Sequence, residues 1–541
     1  MSPLKPRTIL ETHEVMNQPT ARGDGDLWTD DTILRHYATI FGADTGDLAA
    51  YGATMGREEM REAGQVANKV VPELRTFDRG GRRIDEVTFH PAYHRLMQAG
   101  MEAGFAARPW EDRKGGHATH AGMVYMQAEI EPGTSCPMTM TYASIPALKA
   151  NPDIARDWVP RALSRRYDAS SRPAGDKAGV TIGMAMTEKQ GGSDVRANST
   201  RATPEGDHYR LRGHKWFCSA PMCDAFLTLA QAPDGLTCFL VPRWTPDGER
   251  NPIQILRLKD KLGNRANASS EIEYHDAFAW RLGNEGDGVR TIVEMVHHTR
   301  LDTAMAPAGL MRAALDEAHW WISGRSAFQR RLIDQPLMRA VLADMVVELE
   351  ASAAIGMRVA QAFDGTSPED RAFARIAVAT AKFLSNKRCV PFICEAMECL
   401  GGVGYVEESP MPLLYREAPL NSIWEGSGNV ICLDIQRTLA REPLAGEVAM
   451  AELTAARGAD RRYDAELAAF QDRWPNGAPE AEARWFAERL ATLLQASILL
   501  RHAPEAIADT FMATRIARER GDIIGAIAKG DVSAIMARLS N

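Results

Sequence analysis

The stretch that decides the fold is AMTEKQGGSDVRA, residues 185–197. Its two adjacent glycines let the backbone approach a planar or phosphate-bearing ligand closely, and Thr187 and Ser193 place hydroxyl groups beside them. By itself, a Gly-Gly pair followed by Ser193 and Asp194 is more typical of a capped turn than of a ligand site. The rest of the chain must therefore decide between these two interpretations.

The stretch stands at the start of a section rich in strand-forming residues. Short β-prone runs follow it, separated by turn-forming residues: YRLRGHKWFC (209–218), AFLTLAQ (225–231), LTCFLVPR (236–243), IQILRL (253–258) and EIEYHDAFAW (271–280). Because no helical period lies between runs so closely spaced, the sequence predicts an antiparallel sheet or a small barrel over residues 186–290.

Helical periods flank this section on both sides. Before it, apolar residues recur at steps of three and four, as in HPAYHRLMQAGMEAGFA (90–106). After it, the same period runs through the stretches 289–321, 336–364 and 369–399. The sequence therefore predicts an α+β protein that is mostly α. Its predicted domains are an N-terminal α-helical domain over 1–185, the β domain over 186–290, a helix bundle over 291–440 and, after a linker-like stretch at 441–447, a C-terminal helical domain over 446–541.

Composition limits the classes of function. The chain has 541 residues, 45% of them hydrophobic and 25% charged, which is typical of a folded globular protein. The formal net charge of −8 argues against a chain-wide attraction to nucleic acid or anionic membrane, although a local basic face stays open. We find no signal peptide and no apolar run long enough for a membrane span. The eight cysteines fit reduced, buried thiols, so we expect a cytoplasmic protein without a structural metal site.

Two long motifs resemble the signatures of one flavoprotein family, the acyl-CoA dehydrogenases. The stretch 185–197 is similar to the first signature of that family over many specified positions. EAMECLGGVGYVEESPMPLLYREA (395–418) resembles the second signature, with Leu413 where a basic residue is usual. The resemblance implies a helical domain, an antiparallel β domain and a helix bundle, with FAD between the sheet and the bundle.

Two shorter motifs follow in the order of the same family. RSAFQRRL, from Arg325, resembles the segment that reaches the FAD of a neighbouring subunit, but Gln329 stands where glycine is expected. That departure puts the local backbone path in question, while Arg325 and Phe328 keep their implied roles; an exposed arginine and a core phenylalanine are the alternative. NSIWEGSGN (421–429) resembles the loop that carries the catalytic base of the family.

By this resemblance Glu425 is the base. Removal of the proton next to a thioester carbonyl needs a carboxylate with a raised pKa in a dry pocket. The alternative is a carboxylate in the first turn of a helix, where the helix dipole favours it. Trp424 replaces the usual tyrosine, and the resemblance implies that Trp424 and Arg437 crowd or charge the substrate cavity. Arg437 fits an ion pair with Asp434 at i, i+3 equally well.

The resemblance also implies which residues hold the cofactor. Carried over position by position, these are Met186, Thr187, Gly192, Ser193, Phe217, Ser219, Gly426, Ser427 and Asn429, with Arg325 and Phe328 from a neighbouring subunit. Sheet core is the alternative for Phe217 and for its neighbour Trp216. Because a second subunit completes the implied site, we expect a homotetramer or a dimer.

Combinations of shorter stretches narrow the resemblance to the AidB branch, the alkylation-response relatives of the family. Among them are THEVMNQP (12–19), SCPMTMT (135–141) and GHKWF (213–217). That branch carries a C-terminal helical domain assigned to double-stranded DNA. Here Arg515 and Arg518, on one predicted helix face, are the candidates for DNA contact, and a solvated surface is the simpler alternative.

Two functions therefore stand side by side. The first is FAD-dependent α,β-dehydrogenation of a small or branched acyl-CoA resembling isovaleryl-CoA, with an electron-transfer flavoprotein as a candidate acceptor. The second is a flavin-containing protein that binds DNA and protects it from alkylation, with weak or vestigial dehydrogenase activity. The sequence does not choose between them.

Overall fold

The N-terminal section packs around two central helices. The computed structural model describes residues 6–527 and 530–539. The helices of this section are α1 (Thr32–Ile40), α2 (Thr45–Met55), α3 (Glu58–Lys69), α4 (Pro91–Ala103), α5 (Gly116–Ile130), α6 (Ser135–Leu148) and α7 (Pro152–Ala162). α5 and α6 are buried on nearly every side, as expected for helices without a polar face. Both contact the long helix that begins at Gly288.

A hairpin interrupts this section. β1 (Glu73–Phe77) and β2 (Arg83–Thr88) pair antiparallel, so the prediction of an α-helical domain here omitted two strands. Their turn is closed by Asp78, whose carboxylate accepts hydrogen bonds from the backbone of Gly80 and Arg82. An acidic residue that caps its own turn is a common way to join two strands.

The middle section is a sheet that closes on itself. Its strands are β3 (Ile182–Ala185), β4 (Arg201–Glu205), β5 (His208–Ser219), β6 (Ala225–Ala232), β7 (Gly235–Pro242), β8 (Ile253–Leu258) and β9 (Ser269–Leu282). The order is β3-β5-β4-β6-β7-β9-β8, and additional pairings of β3 with β6 and of β5 with β9 close the ring. Pairing is antiparallel except where β3 and β4 meet β6. The first strand begins at Ile182, a few residues before the predicted start of the β section.

Long helices follow the sheet. They are α8 (Gly288–Ser323), α9 (Pro336–Asp364), α10 (Pro368–Cys399), α11 (Met411–Glu417) and α12 (Gly428–Arg441). α8, α9 and α10 pack on one another, and α8 also contacts β7. The predicted fold class, α+β and mostly α, is confirmed. The bundle and the sheet therefore share a boundary along α8.

The C-terminal section packs directly on the bundle. It contains α13 (Pro443–Thr454), α14 (Arg461–Arg473), α15 (Ala483–His502), α16 (Glu505–Phe511), a π-helical turn at Met512–Ile516 and α17 (Val532–Met536). α13 begins inside the stretch predicted as a linker, so that prediction is wrong. Glu452 of α13 pairs with Arg358 of α9 and with Arg501 of α15. These ion pairs tie the section to the bundle.

The cysteine side chains in the described residues form no disulfide bonds. All eight cysteines are free, and each except Cys394 is buried. Within residues 6–527 and 530–539 no helix has both the length and the apolar character that a bilayer span requires.

The segment from Arg325 forms a two-residue hairpin between α8 and α9. β10 (Ser326–Ala327) pairs with β11 (Arg330–Arg331), and the turn residues Phe328 and Gln329 have φ values of 51° and 63°. Two successive positive φ values are typical of a type I′ turn, which favours glycine. Gln329 thus follows the path that glycine would take, and it does so with backbone strain. Phe328 is 96% exposed at the tip, so the core alternative for Phe328 is wrong.

This strain predicts a stabilising substitution. We expect Gln329→Gly to raise the free energy of unfolding by about 0.5–1 kcal/mol, because glycine adopts positive φ without a steric cost. Gln335→Gly is the comparison, since Gln335 has a φ of −81°; glycine there adds entropy to the unfolded chain and removes the hydrogen bond that Gln335 Nε2 donates to the Ala327 carbonyl oxygen, so this variant should lose stability. Urea unfolding of the two variants measures both effects; a loss of stability in Gln329→Gly would show that the turn is not strained.

Candidate active site

Two cations hold the loop that carries Glu425. Arg300 of α8 donates from Nε to the Glu425 carbonyl oxygen at 3.1 Å. Lys382 of α10 donates from Nζ to the carbonyl oxygens of Asn421 and Gly426, each at 2.9 Å. Glu425 has a φ of 56°, and a non-glycine residue in the left-handed region is a strained feature that concentrates at functional positions. The fold therefore fixes the Glu425 backbone in a conformation that it would not choose alone.

Glu425 lines a cavity of about 60 Å³ where the helices meet the sheet. Its walls come from α6, the sheet, α8 and the loop, and include Thr139, Met184, Ser219, Thr299, Asp302 and Trp424. The Trp424 ring is fixed by its Nε1, which donates to Asn421 Oδ1 at 2.7 Å. The structure thus brings Glu425 and Trp424, which belong to the 421–429 motif, together with Ser219 from the β section.

The surroundings of Glu425 raise its affinity for a proton. Burial raises the pKa of Glu425, and the charge of Asp302 raises it further. A hydrogen bond with Thr299 and the charges of Arg300 and Lys382 act in the opposite direction without cancelling the effect of burial. A carboxyl group with a raised pKa beside a cavity is suited to accept a proton from carbon.

A buried ion pair anchors the stretch 185–197. Glu188 and Lys215 of β5 are both buried, with Lys215 Nζ 2.9 Å from Glu188 Oε1. Glu188 also accepts hydrogen bonds from the backbone of Ser199 and Thr200. Although burial opposes it, these partners hold the pKa of Glu188 well below its usual range. Sequence reasoning named Glu188 only as part of a motif and did not predict this anchor.

Gly191 and Gly192 are exposed to solvent, a few residues after Glu188 of the buried ion pair. Gly192 and Ser193 are exposed, while Met186 and Thr187 are half-buried. A Cβ atom on Gly192 would come 2.4 Å from Thr187 Oγ1, so only glycine allows this approach. The loop thus presents bare backbone and hydroxyl groups outward, which favours a ligand surface over a closed turn.

An aromatic face continues from this loop along β5. Phe217 is 44% exposed, so the sheet-core alternative is wrong for Phe217. Trp216 is half-buried, and Lys259 Nζ lies 3.3 Å from the centroid of its ring. Flat aromatic rings beside a cation suit a planar ligand that carries negative charge.

The first turn of α12 is a second surface on which backbone groups are accessible to a ligand. Ser427 and Asn429 are exposed, and a Cβ atom on Gly428 would lie 3.2 Å from Arg484 Nη1 and 3.3 Å from Lys387 Nζ. Burial and the charge of Arg484 lower the pKa of Lys387. Within the described part of the chain neither Lys387 nor Arg484 forms an ion pair. Two positive charges therefore lie beside the helix backbone at Gly428, which carries no side chain.

Arg437 does not enter the cavity. It is exposed on α12, and it is absent from the cavity walls. The ion pair with Asp434 is not formed either, because Asp434 is bound by Arg300 and Arg375 from α8 and α10 at 2.7 and 2.8 Å. Both predictions for Arg437 are therefore wrong. The competing arginines lie far away in sequence, and only the packed bundle brings them to Asp434.

Arg515 and Arg518 do not share a helix face. Arg515 is buried and pairs with Asp344 and Glu348 of α9. The helix ends at Ile516, and Arg518 is exposed with a φ of 58°. The prediction of Arg515 as a DNA contact is therefore wrong, because its charge is already used inside the protein. Arg518 alone stays available at the surface.

The domains of the chain match known family models in order. Residues 17–169 match the AidB N-terminal domain, residues 183–277 the middle domain of acyl-CoA dehydrogenases and residues 286–440 their C-terminal domain. The chain is 45% identical to AidB of Escherichia coli (strain K12) over 477 residues, which cover 87% of this chain and 88% of that protein. The chain belongs to the acyl-CoA dehydrogenase family, in its AidB branch. The predicted enzyme class, an FAD-dependent acyl-CoA dehydrogenase, is thereby confirmed.

Further relatives and solved structures extend the comparison. Acyl-CoA dehydrogenase family member 11 of Caenorhabditis elegans is 32% identical over 419 residues, which cover 73% of this chain and 66% of that protein. The crystal structure of C. elegans ACDH-11 in complex with C11-CoA superposes with a TM-score of 0.82 at 26% identity, covering 99% of this chain and 97% of that one. The apo form of Bd2924 also gives a TM-score of 0.82, at 27% identity over 90% of this chain and 99% of that one.

The residues present fit the FAD of this family. Gly192 has no side chain and lets a ligand approach the backbone closely. The exposed Phe217 ring is a surface on which a flat ligand can stack. Lys387 and Arg484 beside Gly428, neither of them in an ion pair within the described residues, form a site for phosphate. Sequence reasoning found Gly192 and Phe217 through the family motifs. It missed Lys387 and Arg484, because Arg484 belongs to the C-terminal section and reaches α12 only in the folded chain.

Proposed function

We propose that this protein dehydrogenates a small or branched acyl-CoA resembling isovaleryl-CoA between its α and β carbons, with Glu425 as the base. The observation that supports this proposal is the Glu425 carboxyl group, which has a raised pKa and lines a cavity where the sheet meets the bundle. FAD, when bound, accepts the hydride. Met186, Thr187, Gly192, Ser193, Phe217, Ser219, Gly426, Ser427 and Asn429 are the residues proposed to hold it.

The chain's own part in the reaction is to hold the base and to receive the proton. Arg300 and Lys382 fix the backbone of the loop, and Thr299 lines the cavity beside the Glu425 carboxyl group. Glu425 is half-buried at this cavity, so a bound thioester must displace the remaining water before the carboxylate meets the α-proton without a hydration shell. A proton taken there resides on the Glu425 carboxyl group.

The cavity favours a short acyl group. Its volume is about 60 Å³, and the half-buried Trp424 ring forms one wall. The ACDH-11 structure holds C11-CoA, and the small cavity of this chain leads us to propose a shorter substrate. Steady-state turnover with an artificial electron acceptor tests this proposal. Butyryl-CoA and isovaleryl-CoA should give the highest kcat/KM, and a preference for lauroyl-CoA would contradict it.

We further propose that a second copy of the chain completes the flavin site. Phe328 is 96% and Tyr405 is 82% exposed, and large exposed aromatic groups are typical of surfaces that another chain covers. Arg325 lies in the same hairpin segment as Phe328, away from the Glu425 cavity. An electron-transfer flavoprotein is the proposed acceptor of the electrons.

A second candidate function, binding of double-stranded DNA, is favoured by a group of arginines in the C-terminal section. A surface pocket of about 350 Å³ is lined by Arg388, Arg489, Arg515, Arg518 and Arg520 together with Trp485. Trp485 is 43% exposed. Among the residues that the structure describes, four of these arginines, all except Arg518, form ion pairs with acidic residues of the protein, and Glu488 and Asp522 also line the pocket. Arg518, which lines the pocket together with the exposed Trp485 ring, is therefore the arginine that suits contact with a phosphate backbone.

The DNA function predicts different results for two neighbouring arginines. Arg518→Ala should weaken binding to duplex DNA and lower the slope of log Kd against log salt by about one. Arg515→Ala should instead destabilise the fold, because it leaves the buried Glu348 without its arginine and leaves Asp344 with Arg520 alone. Arg437→Ala, which removes an exposed arginine elsewhere, is the control for non-specific charge. Mobility-shift titrations at several salt concentrations measure the slope; equal slopes in all variants would count against this face.

A further inference from the structure

A buried histidine and a buried aspartate lie next to the proposed base. His120 of α5 is fully buried and Asp302 of α8 is 4% exposed. His120 Nε2 lies 2.7 Å from Asp302 Oδ1, and His120 Nδ1 lies 2.7 Å from the carbonyl oxygen of Phe105. The second oxygen of Asp302 accepts a hydrogen bond from the Thr139 hydroxyl group. Both carboxyl oxygens of Asp302 are therefore bound by the protein itself.

These contacts determine how many protons the pair holds. The Phe105 carbonyl oxygen can only accept, so Nδ1 of His120 carries a hydrogen. The 2.7 Å contact between Nε2 and Oδ1 needs one more hydrogen between them. The pair is then either imidazolium with carboxylate or imidazole with carboxylic acid. In both forms the pair has no net charge.

The pair belongs to the same cavity as Glu425. Asp302 and Thr139 line the cavity with Glu425, and so does Thr299, one helical turn before Asp302. The charge of Asp302 raises the pKa of Glu425. A negative charge at Asp302 would therefore work against the ionised base, and the proton shared with His120 limits that charge.

Other titratable groups face the pair and the base. The centroid of the Tyr142 ring of α6 lies 4.0 Å from that of His120, with the two rings tilted by 37°, and the Tyr142 OH lies 2.8 Å from His117 Nδ1. Burial lowers the pKa of His298 to about 4, so His298 is neutral at neutral pH. The charged or titratable groups that face Glu425 are Arg300 of α8, Lys382 of α10 and Asp302 itself, and Glu417 of α11 lines the same cavity. Cys136 of α6 also lines it, and burial raises the pKa of that thiol to about 12, so Cys136 is neutral.

We propose that His120 and Asp302 act as a proton-sharing pair that sets the ionisation of Glu425, so that the pair fixes the pH range in which the base accepts the α-proton. His120 and Asp302 are positioning residues in this scheme, since Asp302 has no carboxyl oxygen free of protein contacts and His120 is enclosed. The inference rests on the proposed role of Glu425 as base.

Two substitutions should shift the pH midpoint for ionisation of Glu425 in opposite directions. His120→Gln removes the shared proton and leaves Asp302 more negative, so ionisation of Glu425 should shift upward by about one pH unit, a tenfold change in the ionised fraction. Asp302→Asn removes the carboxylate that faces Glu425 and leaves the proton on His120 without a negative partner, so the ionisation of Glu425 should shift downward. The double variant should lie near the wild type, because both charges are gone. His94→Gln is the control, since His94 is bonded to Tyr167 outside the cavity.

The readout is an equilibrium spectrum of the FAD-loaded protein. A 3-thia acyl-CoA has an acidic α-proton and cannot release hydride, because sulfur replaces the β carbon. Its α-anion gives a charge-transfer band with the flavin, and the pH midpoint of that band reports the base without turnover. We expect the pH midpoint of the band to shift in opposite directions in His120→Gln and Asp302→Asn. We expect no shift of the midpoint in His94→Gln. If His120→Gln does not fold, Asp302→Asn and its downward shift carry the test.

Two results would overturn the inference in distinguishable ways. A charge-transfer band whose midpoint is the same in the wild type, His120→Gln and Asp302→Asn shows that the pair is only structural. A wild type that gives no band at any pH refutes the role of Glu425 as base, and the inference falls with the proposed function. Shifts in the same direction in both variants would also contradict the pair, since they indicate a general loosening of the cavity.

Discussion

Replacing Glu425 by glutamine should abolish flavin bleaching by an acyl-CoA while FAD stays bound. The substitution keeps the size of the side chain and removes its ability to accept a proton, so we expect the bleaching rate to fall by about 10³-fold or more. The backbone contacts from Arg300 and Lys382 do not involve the Glu425 side chain. Anaerobic stopped-flow absorbance at the flavin band, with isovaleryl-CoA, measures this rate.

Glu417 provides the matched comparison. It lines the same cavity, and burial raises its pKa to about 7. Its Oε2 accepts a hydrogen bond from the Asn264 backbone, which indicates a structural role. Glu417→Gln should therefore retain most of the bleaching. If Glu417→Gln abolishes bleaching and Glu425→Gln does not, the base has been assigned to the wrong carboxyl group. In the wild type the rate should rise with pH, because the raised pKa of Glu425 delays its ionisation.

Replacing Lys215 by methionine should have the largest effect on stability. Lys215 and Glu188 are both buried, so the substitution leaves a carboxylate without its partner inside the sheet. Loss of one partner of a buried ion pair costs about 3–5 kcal/mol. Glu188 also holds the backbone of Ser199 and Thr200, so the loop beside Gly192 should loosen and FAD should bind more weakly. Urea unfolding and fluorescence titration with FAD measure the two effects.

The same strand offers a control for the buried pair. Arg210 of β5 pairs with Glu205 at the surface, and an exposed pair contributes about 0–1 kcal/mol. Arg210→Met should therefore change the unfolding free energy far less than Lys215→Met. Equal losses of unfolding free energy in the two variants would show that the buried Lys215–Glu188 pair contributes no more to stability than the surface pair of Arg210 and Glu205.

The pH dependence of stability follows from Glu188. Its pKa is lowered in the folded state from the ordinary value of 4.5, so the folded protein binds this proton less tightly than the unfolded chain does. The stabilisation is complete above pH 4.5 and is lost as the pH falls toward the lowered folded value. Glu188→Gln should flatten this acid limb in unfolding curves measured at successive pH values.

Strong periodic patterns explain which parts of the fold could be predicted. The apolar period predicted a helix over 336–364, and α9 has those bounds. The hairpin of β1 and β2 was missed, although Asp78 and the glycines after it form a turn signal between two alternating runs. Short strands carry few apolar residues, so their pattern is weak beside long helices. Only the start of α13 was misassigned, to the linker-like stretch 441–447: proline at 443 is typical of a linker but is also favoured in the first turn of a helix.

Contacts between distant segments explain which parts of the site could not be predicted. Glu425 could be named because its loop is a continuous motif. Asp302 and His120 stand in separate helices, and nothing in either local sequence points to the other. The same reason explains the error at Arg515, whose partners Asp344 and Glu348 lie on another helix. A local charge pattern cannot show which charges are neutralised by packing.

The most direct test of the account is an anaerobic absorbance titration of the FAD-loaded wild-type protein with isovaleryl-CoA. The account predicts that the flavin band bleaches as the thioester is added, because Glu425 removes the α-proton beside the bound cofactor. The same sample is then run with duplex DNA on a native gel. A flavin that stays fully oxidised in excess isovaleryl-CoA and butyryl-CoA, in a sample that retards DNA, would contradict the dehydrogenase role and favour the DNA-binding function.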